Sequence, residues 1–204
     1  FGNLFLGVPL SYDSDLRFHS DITLWSLLNP FALLVGLVSL SMIVLHGAAW
    51  LNLKTEGAVQ HRARAVLPWA AIIFALLFAL AGAWLSHLDG LRVAAGLAHD
   101  GPSNPTLKTV TTVAGGWMKA EAMPAIAIAL LGAGGALLLR HRPLLAFLCS
   151  ALVPVGTIAT AGLALFPFLL PSSSQPNVSL TVWDASSSKL TLEVMLGAVA
   201  ILLP

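Results

Sequence analysis

Residues 66–85, VLPWAAIIFALLFALAGAWL, contain no charged side chain and are long enough to cross a membrane as one helix. A spanning helix needs about 20 mostly apolar residues, because its backbone amides must hydrogen-bond within the segment where water is absent. Three further segments meet or approach this requirement, and another begins near the end of the chain. They are residues 31–50, 123–139, 144–170 and the partial segment 190–204. We therefore predict an all-α membrane protein, a transmembrane helix bundle of four spans with partial helices at both ends.

The composition supports this class. Of 204 residues, 57% are hydrophobic and 9% are charged, whereas soluble domains carry about 25% charged residues. Mean hydropathy is +0.88, and ten Lys and Arg residues balance nine Asp and Glu residues. These values exclude a disordered chain, an ordinary cytosolic enzyme and a basic nucleic-acid-binding protein. Cys149 is the only cysteine, which excludes a disulfide framework and a Cys-rich metal site.

We expect residues 1–204 to form a single transmembrane domain that is part of a longer protein. The chain starts at Phe1 without an initiator Met, and it stops inside an apolar run too short to span a bilayer. Residues 1–10 lack the basic start and cleavage site of a signal peptide, so we expect them to be a helix end. The polar residues 11–21 are expected to form a solvated loop.

The distribution of charge predicts the orientation. Two short predicted loops, residues 52–65 and 140–142, hold five of the ten basic residues and one of the nine acidic residues. The positive-inside rule places these loops in the cytoplasm, and residues 86–122 and 171–189 on the outer side. Tryptophans are expected near both interfaces. Trp50 and Trp69 flank the first cytoplasmic loop, and Trp25, Trp84, Trp117 and Trp183 lie towards the outer side.

Small residues mark where helices can approach closely in lipid. In the first span these are Gly36, Ser39 and Ser41, in the third Gly132, Gly134 and Gly135, and in the fourth Gly156, Thr157, Thr160 and Ala161. Pro154 is expected to kink the fourth span. At the start of the first span, Asn29 is expected to cap the helix and Pro30 to occupy its first turn.

The sequence contains no P-loop, GxGxxG, HExxH, GxSxG or CxxC motif. A catalytic group would therefore be membrane-embedded, interfacial or on another chain. His46 lies in the last turns of the first span, and histidine serves as a haem ligand or proton carrier. Because no second histidine lies mid-membrane, we expect His46 to hydrogen-bond a neighbouring helix or the interface, and we expect no haem iron on this chain.

Two other groups of residues leave alternatives open. Lys54, Arg62 and Arg64 fit a topological role best, with lipid headgroups or an acidic partner surface as alternatives. Residues 166–192 fit either a rigid re-entry loop or a docking or quinone-facing surface. In that stretch Asp184 and Ser188 are expected to cap the next helix, and Trp183 to anchor the turn at the interface.

Two blocks of sequence resemble subunit II of the cytochrome bd-type quinol oxidases. The first block comprises LLNPFALL at residues 27–34 with Gly36, HGA at 46–48, KTEG at 54–57 and RAR at 62–64. The second comprises FPF at residues 166–168 and WDASSSKLTL at 183–192. The blocks occur in the family's order, and the intervening spans fit its topology. The resemblance therefore covers essentially the whole chain.

The resemblance implies a bacterial inner-membrane respiratory enzyme that oxidises quinol at the outer side, reduces oxygen to water and takes up cytoplasmic protons. Its haems b and d and its quinol-oxidising loop belong to subunit I, the partner in a heterodimer. Subunit II supplies assembly, a proton route and, in some members, a bound structural quinone. The implied partners are subunit I, quinol and lipid, together with a small single-span subunit in some complexes, and no nucleic acid.

Within that family the chain resembles roughly the second half of subunit II. No catalytic, cofactor-binding or metal-binding residue carries over, because the acidic residues of the family's proton route have no match here. The motif positions retained as family or interface candidates are Asn29, Pro30, His46, Lys54, Gly57, Arg62, Trp183, Asp184 and Lys189.

Two other functions remain open from the residues alone. Half of a transporter or channel is compatible with Pro154 and the small-residue positions, although the spans lack the ionisable residues that such pathways use. An autonomous membrane haem protein would depend on His46 alone.

Overall fold

Four long helices dominate the fold. The computed structural model describes residues 1–13, 15, 17–20, 22–95 and 108–202. In chain order the elements are α1 (Gly2–Leu6), β1 (Leu10–Tyr12), β2 (Phe18–Ser20), α2 (Leu24–Leu27), α3 (Pro30–Lys54), α4 (Gly57–Leu85), β3 (Asp89–Ala95), β4 (Thr109–Ala114), α5 (Met123–Leu138), α6 (Pro143–Leu165), β5 (Phe168–Leu170), β6 (Leu180–Thr181), α7 (Val182–Ala185) and α8 (Lys189–Leu202). Short 3₁₀ helices cover Ala120–Ala122 and Pro176–Val178. Helices α3, α4, α5 with its preceding 3₁₀ turn, and α6 are long and apolar enough to cross a membrane, which confirms the predicted class.

These four helices pack as a closed bundle. Each helix contacts the next in sequence, and α6 returns to α3. Fully buried side chains from all four helices meet in the centre, among them Leu45, Phe74, Ala129 and Val153. The outer surface is apolar as well, with Leu76 66% and Leu131 72% exposed. Helices that are apolar on every side suit a bundle surrounded by lipid.

Local sequence explains where α3 and α4 begin. Asn29 Oδ1 accepts a hydrogen bond from Ala32 N at 2.7 Å, and Pro30 occupies the first turn of α3, as predicted. Asn29 Nδ2 also donates to Asn3 Oδ1 at 2.6 Å, which links α1 to α3. Gly57 opens α4 with a φ of 63°, a left-handed conformation that favours glycine.

Three glycines of α5 and α6 face atoms of the opposing helix so closely that a side chain would not fit. A Cβ atom at Gly132 would lie 2.8 Å from Cys149 O, and one at Gly135 would lie 2.7 Å from Cys149 Sγ. A Cβ atom at Gly156 would collide with the backbone of Ala129. The predicted close approach is confirmed at these three glycines. It is wrong at Gly36 and Gly134, which face open space.

The predicted loop at residues 52–65 is almost entirely helical. Helix α3 runs to Lys54 and α4 starts at Gly57, so only Thr55 and Glu56 connect them. Hydropathy marks the part of a helix that matches the membrane, whereas backbone hydrogen bonding continues into the polar residues beyond it. The helices are therefore longer than the predicted spans 31–50 and 66–85.

The fourth span ends at Leu165 and not at residue 170. Pro167 has no backbone N–H, and a residue that precedes proline is disfavoured in the helical conformation. The chain leaves the helix at Phe166, and β5 pairs antiparallel with β6. The third span ends at Leu138, one residue earlier than predicted, and α6 continues through Pro154.

Two further hairpins lie in segments predicted as loops or helix. Strands β3 and β4 pair antiparallel from Asp89 opposite Ala114 to Ala95 opposite Thr109, within the predicted connection 86–122. Strands β1 and β2 pair within the predicted solvated loop. Residues 1–10, predicted as a helix end, are helical only in α1, which Gly7 terminates at a φ of 76°. Short antiparallel pairs depend on backbone partners and give no hydropathy signal.

The turn between α3 and α4 and the turn between α5 and α6 lie at the same end of the bundle, where Asn52 donates to Arg140 O. We call residues 52–65 and 139–142 the basic end.

At the opposite, hairpin end, β3–β4 and β5–β6 cover an aromatic cluster around Trp117, which lies 5.9 Å from Phe5 and 6.3 Å from Phe168 between ring centroids. Trp117 Nε1 donates to Phe5 O at 2.9 Å. Trp117 is therefore at the predicted end, but it is buried in protein and does not face the interface.

Candidate functional site

The hairpin end carries an open cleft of about 460 Å³. Its charged residues are Arg92 from β3, with Lys119 and Glu121 from the segment that enters α5. Its aromatic walls are Phe166 and Trp183, whose ring centroids are 5.5 Å apart in an edge-to-face arrangement. The cleft thus combines two cations, one acid and two aromatic rings at the hairpin end of the bundle.

Lys119 is held in this cleft by its environment. Its Nζ donates to the carbonyl oxygen of Phe166. Burial lowers the pKa of the Lys119 ammonium, and the neighbouring charge of Arg92 lowers it further, while Glu121 acts in the opposite direction. The cleft therefore contains a partly desolvated amine that can donate a hydrogen bond to an oxygen atom and that loses its proton more readily than an ordinary lysine.

A buried ion pair lies behind the cleft. Lys108 Nζ pairs with Asp184 Oδ2, and the two side chains are 0% and 2% exposed. The same carboxylate oxygen accepts hydrogen bonds from Thr181 N at 2.9 Å and from Thr181 Oγ1 at 2.7 Å. Asp184 was predicted to cap the following helix, but it closes the capping box of α7 with Thr181. Ser188, also predicted as a cap, accepts from Thr191 N at the start of α8.

Sequence reasoning did not identify Lys108. The ion pair joins the residue before β4 to α7 across 76 positions of sequence. A second link lies nearby in sequence, where Val110 N of β4 donates to Asn177 Oδ1 at 2.8 Å. A lone lysine before a strand carries no information about so distant a partner. The ion pair connects the segment that contains Trp183 and Asp184 to the β3–β4 hairpin.

His46 is a partly exposed residue of α3 where that helix packs against α6. Its Nδ1 is 3.0 Å from Ser150 Oγ, and its ring stacks on Phe147 with centroids 5.1 Å apart. Ser150 Oγ also donates to Phe147 O at 2.7 Å, so His46 and Ser150 form one hydrogen-bonded group where α3 meets α6. The ring also lines an open groove of about 480 Å³ with Trp50 and Pro154.

Asn52 organises the basic end, and sequence reasoning missed it as well. Its Nδ2 donates to Arg140 O at 2.9 Å, its Oδ1 accepts from Arg64 Nε at 3.3 Å, and its backbone oxygen accepts from Gln60 at 3.1 Å. The side chain is fully buried. The sequence signal available for Asn52 was an amide side chain in the last turn of a long apolar helix. A buried amide requires hydrogen-bond partners, so such a residue indicates a contact with another segment.

The remaining candidates lie at the surface. Lys54 Nζ is 5.2 Å from the centroid of the Trp50 ring, and Arg62 lines a crevice between α3 and α4. Lys189 is exposed at the start of α8, with its Nζ 3.8 Å from Glu193 Oε1. The structure therefore divides the candidates between the two ends, and His46 lies between them. Among the described residues, no three His, Cys, Asp or Glu side chains are grouped so that they could hold a metal ion.

Comparison with known proteins identifies the family of this chain. The family model described as "Cytochrome bd terminal oxidase subunit II" matches residues 1–204. The chain belongs to this family. A probable cytochrome oxidase subunit 2 from Haemophilus influenzae is 41% identical over 203 residues, which cover 96% of this chain and 54% of that protein. The cytochrome bd-I ubiquinol oxidase subunit 2 of Escherichia coli is 40% identical over 212 residues, which cover 100% of this chain and 56% of that protein.

Membership of the bd subunit II family agrees with the resemblance found in the sequence and does not favour the transporter alternative. The chain spans just over half the length of the curated relatives it matches. Together with the four apolar helices, the bacterial relatives make this a multi-pass protein of the bacterial inner membrane.

Proposed function

We propose that this chain is part of a non-haem membrane subunit of a bd-type quinol:oxygen oxidoreductase. The observation that carries the proposal is the family match over all 204 residues, and the name of the E. coli relative supports ubiquinol as the class of electron donor. In this proposal the haems b and d belong to a larger partner subunit, where quinol is oxidised and oxygen is reduced. The partner supplies the redox chemistry, and this chain contributes no catalytic residue.

The proposed contribution of this chain is structural. The four-helix bundle offers apolar outer faces to lipid and to the partner, and Asn52 and the Lys108–Asp184 pair stiffen its two ends. His46 is proposed to join α3 to α6 through Ser150 and not to bind iron. A small single-span subunit and a structural quinone are further proposals from the family, and we assign no described residue to either.

The hairpin end is the proposed contact with the haem-bearing partner. Trp183 lines the open cleft, and Lys108 and Asp184 hold the segment behind it in place. Exposed aromatic surface next to charged groups on a stiff support is typical of protein contact surfaces. Lys189, exposed at the start of α8, lies next to this surface in sequence.

The proposal is tested with the product of the open reading frame that contains this chain, affinity-tagged and extracted in mild detergent. We expect a larger membrane subunit to co-purify and the preparation to consume oxygen when quinol is supplied. Trp183→Ala should reduce recovery of the partner, whereas Trp69→Ala, which alters an exposed tryptophan on α4, should not. An inactive preparation without a large partner, even after crosslinking in the membrane, would contradict the proposal.

A further inference from the structure

A crevice between α3 and α4 opens at the basic end. It has a volume of about 420 Å³ and is lined by four residues from each helix. Along α3 it runs from Val44 to Leu51, which is about 10 Å at a rise of about 1.5 Å per residue. Along α4 it is lined by Val59, Arg62 and Val66. The crevice therefore extends from the polar turn at Thr55 and Glu56 into the apolar part of the helix pair.

The chemistry of the lining changes along this length. Arg62 is the one charged residue among those lining the crevice, and the other lining residues carry no polar side chain. Val44, Leu51 and Val66 are each more than one-third exposed, although they form the walls of a recess. A recess with a cation at its mouth and apolar walls below matches a molecule with an anionic head and a hydrocarbon chain.

The surrounding charge favours an anion at the mouth. The basic end contains five Lys and Arg residues and a single acidic residue, Glu56. Other basic side chains have partners inside the protein: Arg64 donates to Asn52, and Lys54 lies over Trp50. In the part of the chain that the structure describes, no acidic side chain forms an ion pair with Arg62.

Gly47 lines the crevice and has no side chain that could fill it. A Cβ atom at this position would meet nothing within 4 Å, so helix packing does not require glycine there. Gly36 also faces open space but lies outside the crevice. A large side chain at position 47 would project into the recess, whereas the same side chain at position 36 would not, and the pair provides a matched comparison.

We propose that this crevice binds one anionic phospholipid of the cytoplasmic leaflet, with its phosphate on Arg62 and an acyl chain along Val44, Gly47 and Leu51. Basic residues at the cytoplasmic ends of membrane helices attract anionic headgroups, and the apolar walls explain why a lipid fits better than an acidic protein segment. Binding does not require the oxidase activity, so the two proposals can fail separately.

The test is native mass spectrometry of the purified full-length protein with its accompanying subunits. The protein is incubated with phosphatidylglycerol or with phosphatidylcholine of identical acyl chains. We expect one phosphatidylglycerol to be retained per chain and phosphatidylcholine to be lost. Arg62→Gln and Gly47→Leu should abolish this retention. The matched variants Arg142→Gln, which removes a charge from the same end, and Gly36→Leu should preserve it, and excess inorganic phosphate should not displace the lipid.

Four results would overturn the proposal. Equal retention of both lipids would show that the headgroup charge does not matter, and equal losses in Arg62→Gln and Arg142→Gln would show a diffuse surface effect. Displacement by inorganic phosphate would indicate a simple anion site. Detachment of a protein subunit from Arg62→Gln, with lipid retention unchanged, would identify the crevice as a protein interface.

Discussion

At the scale of single residues, the buried polar side chains in the described part of this apolar molecule have hydrogen-bond partners. Lys108 with Asp184, Asn52 with Arg140 and His46 with Ser150 each join segments far apart in sequence. An unpaired buried polar group destabilises a fold by several kilocalories per mole, whereas a paired one costs much less. Each of these pairs therefore holds two elements in a defined register.

Lys108→Met should destabilise the hairpin end strongly. The substitution leaves the Asp184 carboxylate buried without its cation, and removal of one partner from a buried pair costs about 3–5 kcal/mol. Thermal unfolding in detergent measures the effect. Lys189→Met, which removes the exposed partner of Glu193, is the control and should leave the unfolding temperature unchanged. Equal behaviour of the two variants would contradict the structural role of the buried pair.

Lys119 should react with amine-modifying reagents at lower pH than an ordinary lysine does. Its pKa is lowered by burial and by Arg92, so the neutral, nucleophilic amine forms below the usual value of about 10.4. The midpoint is read from the pH dependence of acetylation, followed by peptide mass spectrometry. Arg92→Gln should raise the midpoint and Glu121→Gln should lower it. Shifts in the opposite directions would contradict this account of the cleft electrostatics.

At the scale of elements, α5 and α6 depend on glycines that allow their backbones to meet. Burial of apolar surface contributes little between helices in lipid, so close packing carries much of the stability. Gly156 lies against the backbone of Ala129, where no flexible side chain can move aside. This contact distinguishes a packing glycine from the many other glycines of the chain.

Gly156→Ala should destabilise the bundle by about 1–3 kcal/mol, because a methyl group there forces the helices apart. Gly162→Ala provides the matched control, since a Cβ atom at Gly162 meets nothing within 4 Å. The control should be neutral or more stable by up to about 1 kcal/mol, as alanine is the better helix former. Unfolding in detergent compares the two, and a stable Gly156→Ala variant would show that the contact between α5 and α6 is looser than described.

The elements differ in how far sequence could predict them. Hydropathy located α3, α4, α5 and α6, because each must match the thickness of the membrane. It did not locate the hairpins, since β3 and β4 owe their structure to mutual backbone pairing. Among site residues, Lys54 and Arg62 stand out as charges beside apolar spans, whereas the pairing of Lys108 with Asp184 follows only from the fold.

At the scale of the whole molecule, the two ends of the bundle have different compositions. Five basic residues collect at the basic end, and the hairpin end carries β structure and an aromatic cluster. The positive-inside rule predicts that the basic end faces the cytoplasm. Both the lipid crevice and the proposed partner contact depend on this orientation.

Single cysteines test the orientation in a variant with Cys149→Ala. Glu56→Cys and Ser174→Cys place exposed thiols at opposite ends of the bundle. An impermeant maleimide added to intact spheroplasts should label position 174 and not position 56, and labelling at position 56 should appear after the membrane is opened. The reverse pattern would contradict the predicted topology.

The central claim is that this chain belongs to a complex that contains haem but does not itself bind haem. The reduced-minus-oxidised visible spectrum of the tagged product of its open reading frame, purified from cells with and without the haem-bearing partner, tests this claim most directly. We predict b- and d-type bands when the partner is present and a colourless protein when it is absent. Haem bands that persist without the partner and disappear in His46→Ala would contradict the claim, as would a colourless complex that retains the partner.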